Sequence, residues 1–120
     1  MLETCYEYIN VSKKNLEVGN YELAHRQACH CQEQIENLFN VSNVEVQIKL
    51  LDILYQSSKI ISNGYVMLCC QVCALREVRN KMIEYQTIYE QDAYEPKIRE
   101  VARFYHNKLE RDLRGMMSSH

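Results

Sequence analysis

The chain has 120 residues, of which 47% are hydrophobic and 25% are charged, and its formal net charge at pH 7 is -2. This length suits one domain around one core, and the charge balance lacks the basic excess of a nucleic-acid binder. Three Gly, one Pro and no Trp leave few turn residues for a many-stranded sandwich or barrel, whereas helix-forming residues are abundant. The composition therefore predicts an all-α fold.

Apolar residues at helical spacing predict two helices in the first third of the chain. The first runs from residue 2 to about residue 17 and ends before Gly19 and Asn20. The second runs from about Tyr21 to Phe39, along a seam formed by Ala24, Ala28, Cys31, Ile35 and Leu38. Its alternation of four and three is typical of a helix in a bundle.

A third helix is predicted from the turn near Asn40 to about Gly64. Ser42, followed by Glu45 three residues later, has the spacing of a capping box, which satisfies free N–H groups at a helix start. This helix carries two adjacent apolar stripes, one with Val44, Leu51, Leu54 and Ile61 and one with Val46, Leu50, Ile53 and Ile60. A single partner surface does not need both stripes, so one of them is available for another contact.

Two more helices complete the predicted architecture. The fourth runs from about Tyr65 to Glu90 and is apolar nearly all round at its start, which predicts a deeply buried start. The fifth begins at Asp92 and Pro96 and ends at Gly115, before a tail at residues 117–120. Short connections favour antiparallel neighbours, so residues 1–120 are predicted to form one domain, an up-down bundle of four helices with a fifth alongside.

The N-terminus and the cysteines predict a cytoplasmic chain with reduced thiols. The N-terminus lacks the basic start and apolar run of an export signal, and no uncharged stretch reaches the roughly 18 residues that span a bilayer. The six cysteines are Cys5, Cys29, Cys31, Cys69, Cys70 and Cys73. Because they lie at helical spacing in a chain without an export signal, we expect mostly buried thiols rather than a disulfide framework.

Some of these cysteines have the spacing of a metal or redox site. His25 and Cys29 are four apart on one helix, and Cys69 and Cys73 repeat that spacing on another, which gives four soft ligands for zinc. Structural zinc ligands usually lie on loops or turns, however, whereas these lie within helical patterns. Cys70 and Cys73 have the redox spacing, but the βαβ context of redox enzymes is absent. We therefore expect no metal and no cofactor.

Two short motifs point to other classes of protein. Arg99 and His106, with six residues between them, match the loose spacing of the Arg–His pair of HEPN ribonucleases, which contacts the scissile phosphate. A HEPN-like ribonuclease is therefore an alternative function, as is a non-catalytic regulatory bundle. Residues 19–24 resemble the inter-helix turn of a tetratricopeptide repeat, but no similar segment follows at the fixed period of such repeats, which favours a bundle over a solenoid.

Taken in order, the helices resemble those of FliS-type flagellar export chaperones over residues 1–91. Residues 1–9 are similar in position to the family's Met-Leu-Tyr-Asp-Gly helix, and residues 19–22 to its acidic turn into the second helix. Residues 28–38 resemble its Lys-Ala-Gln-x-Ile-Ile-x-x-Leu segment, and residues 51–55 its Leu-Tyr helix. Residues 75–79, with Tyr89 ten residues later, resemble its closing helix of Leu-Glu-Glu-Val type. The family's N-terminal segment has no counterpart, and residues 92–116 form an additional helix.

The resemblance implies a cytoplasmic, non-enzymatic chaperone or co-chaperone. Its partner would be the disordered C-terminal segment of flagellin, kept from premature polymerisation, or another flagellar export protein. The predicted client groove consists of Ile35, Leu38, Val46, Leu50, Ile53 and Ile60. The alternative is that the fifth helix covers these residues and makes them ordinary core. We expect neither nucleic-acid binding nor membrane insertion, and the apolar stripe is compatible with a homodimer.

Overall fold

A computed structural model describes residues 1–118, which form five α-helices and contain no β-strand. The helices are α1 (Leu2–Glu17), α2 (Tyr21–Phe39), α3 (Val44–Met67), α4 (Gln71–Tyr89) and α5 (Pro96–Ser118). The all-α prediction is confirmed. Residues 119 and 120, which end the predicted tail, lie outside the described residues.

The start of α3 differs from the predicted capping box. Asn43 is the N-cap residue, and its Oδ1 accepts a hydrogen bond from the Val46 N–H at 2.9 Å. The Ser42 hydroxyl instead donates to the Leu38 carbonyl at 2.6 Å, at the end of α2. Since Asx side chains are at least as good as Ser at this position, the cap lies one residue later than the sequence pattern indicates.

The predicted end of α3 at Gly64 is wrong, because the helix continues to Met67. Gly64 is buried and lies beside the side chain of Leu16 in α1. Packing against that neighbour outweighs the roughly 1 kcal/mol by which Gly disfavours a helix interior. The same correction applies to Gly115, since α5 runs past it to Ser118.

The prediction of a deeply buried start for α4 is also wrong. Met67, Leu68 and Val72 are 59%, 58% and 67% exposed, and Val66 and Cys69 are exposed as well. These residues surround a turn between two helices, where neighbouring helices cover only one side. Apolar residues are therefore present here in excess of what the fold buries.

The helices form a packed bundle with α3 at its centre. Among the described residues, α3 contacts all four other helices, α1 and α2 contact each other, and α4 and α5 contact each other. No α-carbon of α1 or α2 lies within 8 Å of one in α4 or α5. The bundle thus consists of two three-helix groups that share α3, and the α-carbons extend over 39 × 32 × 15 Å. Because four helices pack on α3, residues of both of its apolar stripes are buried.

The turn from α1 to α2 and the turn from α3 to α4 share one geometry. We call residues 18–20 the first turn and residues 68–70 the second turn. The helices that follow them, α2 and α4, are each 19 residues long. Gly19 and Cys69 both have left-handed backbone angles, with φ of 87° and 61°. The chain therefore contains two similar helical hairpins, the first formed by α1 and α2 and the second by α3 and α4.

The hydrogen bonds of the two turns match as well. The Asn20 N–H bonds to the Asn15 carbonyl at 2.8 Å, and the Cys70 N–H bonds to the Tyr65 carbonyl at 2.8 Å. The Gly19 N–H likewise bonds to the Leu16 carbonyl, and the Cys69 N–H to the Val66 carbonyl. Each pair of hydrogen bonds forms a Schellman motif. The turn that resembles a tetratricopeptide repeat thus recurs in backbone geometry but not in residue type, which is why the sequence pattern missed it.

Tyrosine side chains attach α5 to α3 and α4. Tyr55 donates from its hydroxyl to Asp112 at 2.8 Å, and Tyr105 donates to Asp52 at 2.9 Å. The Tyr105 ring stacks against Tyr55 and Tyr85, with centroids 5.5 and 5.7 Å away. Burial raises the pKa of both Tyr55 and Tyr105, so these hydroxyls remain donors.

Candidate functional site

A groove of about 810 Å³ lies between α2 and α4, above α3. The α-carbons of α2 and α4 stay more than 8 Å apart although both helices pack on α3, so a gap remains between them. Leu51 and Leu54 of α3 form its floor, Ile35 and Phe39 line the α2 wall, and Ile88 lines the α4 wall. A concave, mostly apolar site of this volume is typical of ligand-binding clefts.

The α4 wall also carries an isoleucine that the fold does not bury. Ile83 lines the groove and is 60% exposed. Thr87, one turn later on the same wall, donates from its hydroxyl to the Ile83 carbonyl at 2.8 Å. The α4 wall is therefore apolar at its upper edge, where a second molecule has access to it.

An aromatic pair lies at one end of the groove. Tyr94, from the connection between α4 and α5, packs edge-on against Phe39 with ring centroids 5.8 Å apart. Its hydroxyl donates to Asn40 Oδ1 at 3.1 Å, beyond the end of α2. These two contacts link α2 to the segment after α4 and bound the groove on this side.

Polar side chains connect α2, α3 and α4 toward the other end of the groove. Gln32 Nε2 donates to Ser57 Oγ at 2.9 Å and lies 3.3 Å from Glu77 Oε2. Lys81 Nζ lies 3.8 Å from Glu77 Oε2 and 2.6 Å from Glu84 Oε2. Burial raises the pKa of the Glu77 carboxyl, while the Lys81 charge and the Gln32 amide oppose that shift.

This polar cluster was not among the residues singled out from the sequence. Lys81 is a buried charge with a side chain only 10% exposed. Its carboxylate partners stand four residues before it and three after it in the same helix. A lysine on the apolar face of a helix, flanked at those spacings by glutamates, is the signal that indicates such a cluster.

The exposed rim of the groove is acidic. Glu33 and Glu36 on α2 and Glu84 on α4 line it with exposed carboxylates. Among residues 1–118, Lys81 is the one basic residue in this lining, and Glu77 and Glu84 already hold its ammonium group. The rim therefore presents net negative charge above an apolar floor.

The predicted client groove is not an open surface in the structure. Leu50, Ile53 and Ile60 are buried, because the helices around α3 cover the stripe they form. Leu38 and Val46 are partly buried against the core. Ile35 alone of the six lines the groove between α2 and α4. The α3 residues that line this groove are Leu51 and Leu54, which belong to the other apolar stripe and are buried as well.

The cysteines differ in burial and in bonding. Cys5 and Cys31 are buried, Cys29 is half-buried, and burial raises the pKa of the Cys31 thiol to about 12. Cys70 and Cys73 are joined by a disulfide, and Cys69 is exposed. The expectation of reduced, mostly buried thiols is therefore wrong for the second turn, where the pair lies at a helix start rather than inside a helix.

The four candidate zinc ligands do not converge. His25 Nε2 and Cys29 Sγ lie 3.4 Å apart on α2, but Cys73 is bonded to Cys70. Within residues 1–118, no group of three or more His, Cys, Asp or Glu side chains is placed to hold a metal ion.

Arg99 and His106 both contact Tyr89 at the end of α4. Arg99 Nε donates to the Tyr89 carbonyl at 3.0 Å, and its Nη2 lies 3.3 Å from Asp92 Oδ1. The His106 ring packs edge-on against the Tyr89 ring, with centroids 5.4 Å apart. The Arg99 guanidinium thus caps the α4 C-terminus, where a cation interacts favourably with the free carbonyl groups.

A second cavity, of about 800 Å³, lies beside the first turn and the end of α3. Its lining includes Tyr21, Leu23, Tyr65 and Leu68. Leu68 belongs to the exposed apolar surface around the second turn, so this cavity and that surface are continuous.

Comparison of the chain with protein-family models, with curated proteins and with solved structures gives no match. None of the helices in the described part of the chain is both long enough and apolar enough to cross a bilayer.

Proposed function

We propose that this chain is a non-enzymatic binding protein that holds a short helical segment of a partner protein in the groove between α2 and α4. The observation that carries the proposal is the groove itself, which has an apolar floor, an exposed apolar residue on one wall and a charged rim. Helix-in-groove binding uses such a site, since apolar side chains of the partner fill the cleft while its polar face stays in water.

The dimensions of the groove limit the segment it accepts. Its α2 wall extends from Cys29 to Phe39, ~15 Å along the helix, and its α4 wall extends from Lys81 to Ile88, ~10 Å. Two or three apolar side chains spaced three or four residues apart cover the shorter wall. The partner is therefore an amphipathic helix with a short apolar stripe rather than a long continuous one.

The charge of the rim specifies the flanks of the partner helix. Glu33, Glu36 and Glu84 surround the apolar floor, so lysine or arginine beside the partner's apolar stripe complements them. Exposed charges at a rim steer association and select partners more than they add affinity. Binding is therefore expected to weaken as salt increases.

The resemblance to FliS-type chaperones supplies a candidate partner within this proposal. The disordered C-terminal segment of flagellin, or another flagellar export protein, would fold as a helix in the groove, and the cytoplasm would be the place of binding.

For the topology, we propose two stacked helical hairpins with α5 added, rather than a four-helix bundle closed by α1 against α4. The contacts of α1 with α2 and α3 only support that topology.

Isothermal titration tests the proposal with three peptides and two variants. The peptides are a flagellin C-terminal segment and two designed helices that carry leucines at i and i+4, one flanked by lysines and one by glutamates. We expect saturable binding of the lysine-flanked helix at least tenfold tighter than that of the glutamate-flanked one. Binding of the flagellin segment would identify flagellin as the partner. If the lysine-flanked helix binds and the flagellin segment does not, flagellin is excluded but the groove remains the binding site.

Ile83→Glu is the variant that tests the position of the site, because Ile83 is exposed and its replacement disturbs no core packing. We expect it to weaken binding at least tenfold. Val11→Glu, which places the same charge on exposed α1, is the matched control and should bind like the parent chain. Equal binding by both variants, or no binding by the folded parent, would contradict the groove as the site.

A further inference from the structure

Three of the six cysteines lie in the second turn and at the start of α4. Cys70 and Cys73 are joined by a disulfide with α-carbons 5.4 Å apart, and Cys69 is exposed beside them. A separation of this size lies within the usual range for bridged cysteines. Both bridged residues are partly exposed, so a reagent in solution reaches them.

The first turn shows that this backbone does not require cysteine. Gly19 and Asn20 form the same Schellman hydrogen bonds without any disulfide, and α2 follows with the same length as α4. The bridge between Cys70 and Cys73 is therefore an addition to the turn rather than a condition for it. The sulfur chemistry of the pair is thus not required for the backbone to turn.

The bridge lies at a helix N-terminus, where a thiolate is stabilised. Cys70 is the N-cap residue of α4, and Cys73 is the third residue of that helix. Free backbone N–H groups and the positive end of the helix dipole favour a negative sulfur at this end. The opening residues of α4, from Gln71 to Ala74, include no acidic side chain that would oppose this negative charge.

The surface around the bridge is apolar. Met67, Leu68 and Val72 are exposed beside it, in the region that the apolar pattern predicts to be buried. A polypeptide with apolar residues next to its cysteine has more contact with this surface than a small hydrophilic thiol has. The surroundings therefore favour a polypeptide over a low-mass thiol as the reaction partner.

We propose that the second turn is a thiol–disulfide exchange site, with Cys70 and Cys73 as its redox pair. In the reducing direction, a partner thiolate attacks one sulfur of the bridge, and the S–S bond between Cys70 and Cys73 breaks. The result is a mixed disulfide and one free cysteine thiolate. A second partner thiol attacks the partner sulfur of the mixed disulfide and releases the remaining cysteine as a thiolate. Two electrons pass from the partner dithiol to the protein, the partner leaves as a disulfide, and solvent protonates the thiolates.

Glutathione buffers of graded ratio test the exchange on the full-length chain. After acid quenching and unfolding, thiols are labelled with a maleimide and counted by intact mass. We expect four labels in the oxidised chain and six in the reduced chain, because four cysteines are free when the bridge is closed. The change should be reversible and occur as one two-electron step. Six labels at every ratio, or four even in the most reducing buffer, would overturn the proposal.

Serine variants identify the pair. Cys70→Ser and Cys73→Ser should abolish the two-electron step, whereas Cys69→Ser should retain it. Circular dichroism of each variant confirms that it remains helical, and the same Schellman geometry in the first turn, where no cysteine is present, leads us to expect that it does. Retention of the step in Cys70→Ser would assign the bridge to other cysteines and contradict the proposal.

Two rate measurements separate an active site from an ordinary disulfide and identify the source of the partner thiol. In the reduced chain at pH 6, Cys70 or Cys73 should react with iodoacetamide at least tenfold faster than exposed Cys69, and equal rates would contradict thiolate stabilisation at the helix start. In the second measurement, a peptide disulfide with leucines beside its cysteine should exchange at least tenfold faster than oxidised glutathione. Faster exchange with glutathione would assign the site to low-mass thiols.

Discussion

The two hairpin turns have the same backbone geometry but different side chains. Both place a residue with positive φ after a long helix, and both close it with hydrogen bonds of similar length, as in the pair Val18 N–H to Lys14 (3.2 Å) and Leu68 N–H to Gly64 (3.0 Å). The first turn is built from Gly19 and Asn20, and the second from Cys69 and Cys70. The comparison teaches that the Schellman hydrogen bonds and the packing of the flanking helices define the turn, while its side chains are free to differ.

The hairpins differ in their interiors as well. Counted from the first residue of each helix, positions 4, 8, 11 and 15 are buried in both α2 and α4. The last two of these are Cys31 and Ile35 in α2 but Lys81 and Tyr85 in α4, so at the matched positions the second hairpin contains larger side chains and a buried charge. Variants at matched positions measure how far the two hairpins are equivalent.

Truncation of the matched core residues has the largest expected effect. Tyr85 is fully buried and donates from its hydroxyl to the Leu51 carbonyl at 2.7 Å, and Ile35 is its counterpart in α2. We expect Tyr85→Ala to lower the free energy of unfolding by about 3–5 kcal/mol and Ile35→Ala by about 2–4 kcal/mol. Urea unfolding of both variants measures the difference, and a larger loss for Ile35→Ala would show that the first hairpin dominates stability.

Matched serines test the hydrogen bond that joins the first hairpin. The buried Ser12 hydroxyl donates across to the Ala24 carbonyl at 2.6 Å, whereas the Ser62 hydroxyl donates to the Lys59 carbonyl within its own helix at 3.2 Å. We expect Ser12→Ala to cost about 1 kcal/mol and Ser62→Ala less than about 0.5 kcal/mol. Thermal unfolding at one pH compares them, and equal losses would mean that the bond across the helices adds nothing.

The residues with positive φ should respond in opposite directions to substitution. A left-handed conformation costs a residue with a Cβ roughly 1–2 kcal/mol relative to glycine. No atom lies within 4 Å of a Cβ added at Gly19, so Gly19→Ala should lose about 1 kcal/mol through its backbone alone. Cys69→Gly should gain roughly 0.5–1 kcal/mol. Urea unfolding under oxidising conditions measures both, and stabilisation by Gly19→Ala would refute the shared geometry.

The buried carboxyl of the second hairpin gives the smallest effect. Burial raises the pKa of Glu77 above its ordinary value of 4.5, so the folded chain takes up this proton at a higher pH than the unfolded chain does. The stability that Glu77 contributes through this proton is fully present below pH 4.5, and it is lost as the pH rises through the pKa of Glu77 in the folded chain. Relative to Glu77→Gln, the parent chain should therefore gain stability as the pH falls from 7 toward 4.5. Chemical unfolding of both chains across this range measures it, and the opposite slope would contradict the assigned shift.

The sequence allowed the helices to be predicted better than their ends. Apolar periodicity identified all five, and α1 and α2 have the predicted bounds because glycine and asparagine follow α1 and polar residues follow α2. Gly64 and Gly115 misled the prediction of helix ends, since tertiary packing and helix continuation outweigh a cost of about 1 kcal/mol. The cap of α3 was misplaced by one residue for lack of any signal that separates Ser42 from Asn43.

The candidate site was harder to predict. Periodicity shows that α3 has two apolar stripes, but it does not show which neighbour covers each one. Leu50 and Ile53 therefore looked available, whereas Leu51 and Leu54 form the floor of the groove. The position of α4 relative to α2 decides this, and contacts between distant parts of the chain set that position. The spacing of Cys70 and Cys73 was visible in the sequence, but its place at a helix start was not.

Methyl-labelled NMR of the isoleucine and leucine residues tests the central claim most directly. On titration with the lysine-flanked helical peptide, we expect shifts concentrated at the isoleucines and leucines that line the groove between α2 and α4, which are Ile35, Leu51, Leu54, Ile83 and Ile88. Methyl groups of Leu50 and Ile60, buried outside the groove lining, should change little. Shifts concentrated at Leu23 and Leu68 near the two turns, or no shifts at saturating peptide, would contradict the groove as the binding site.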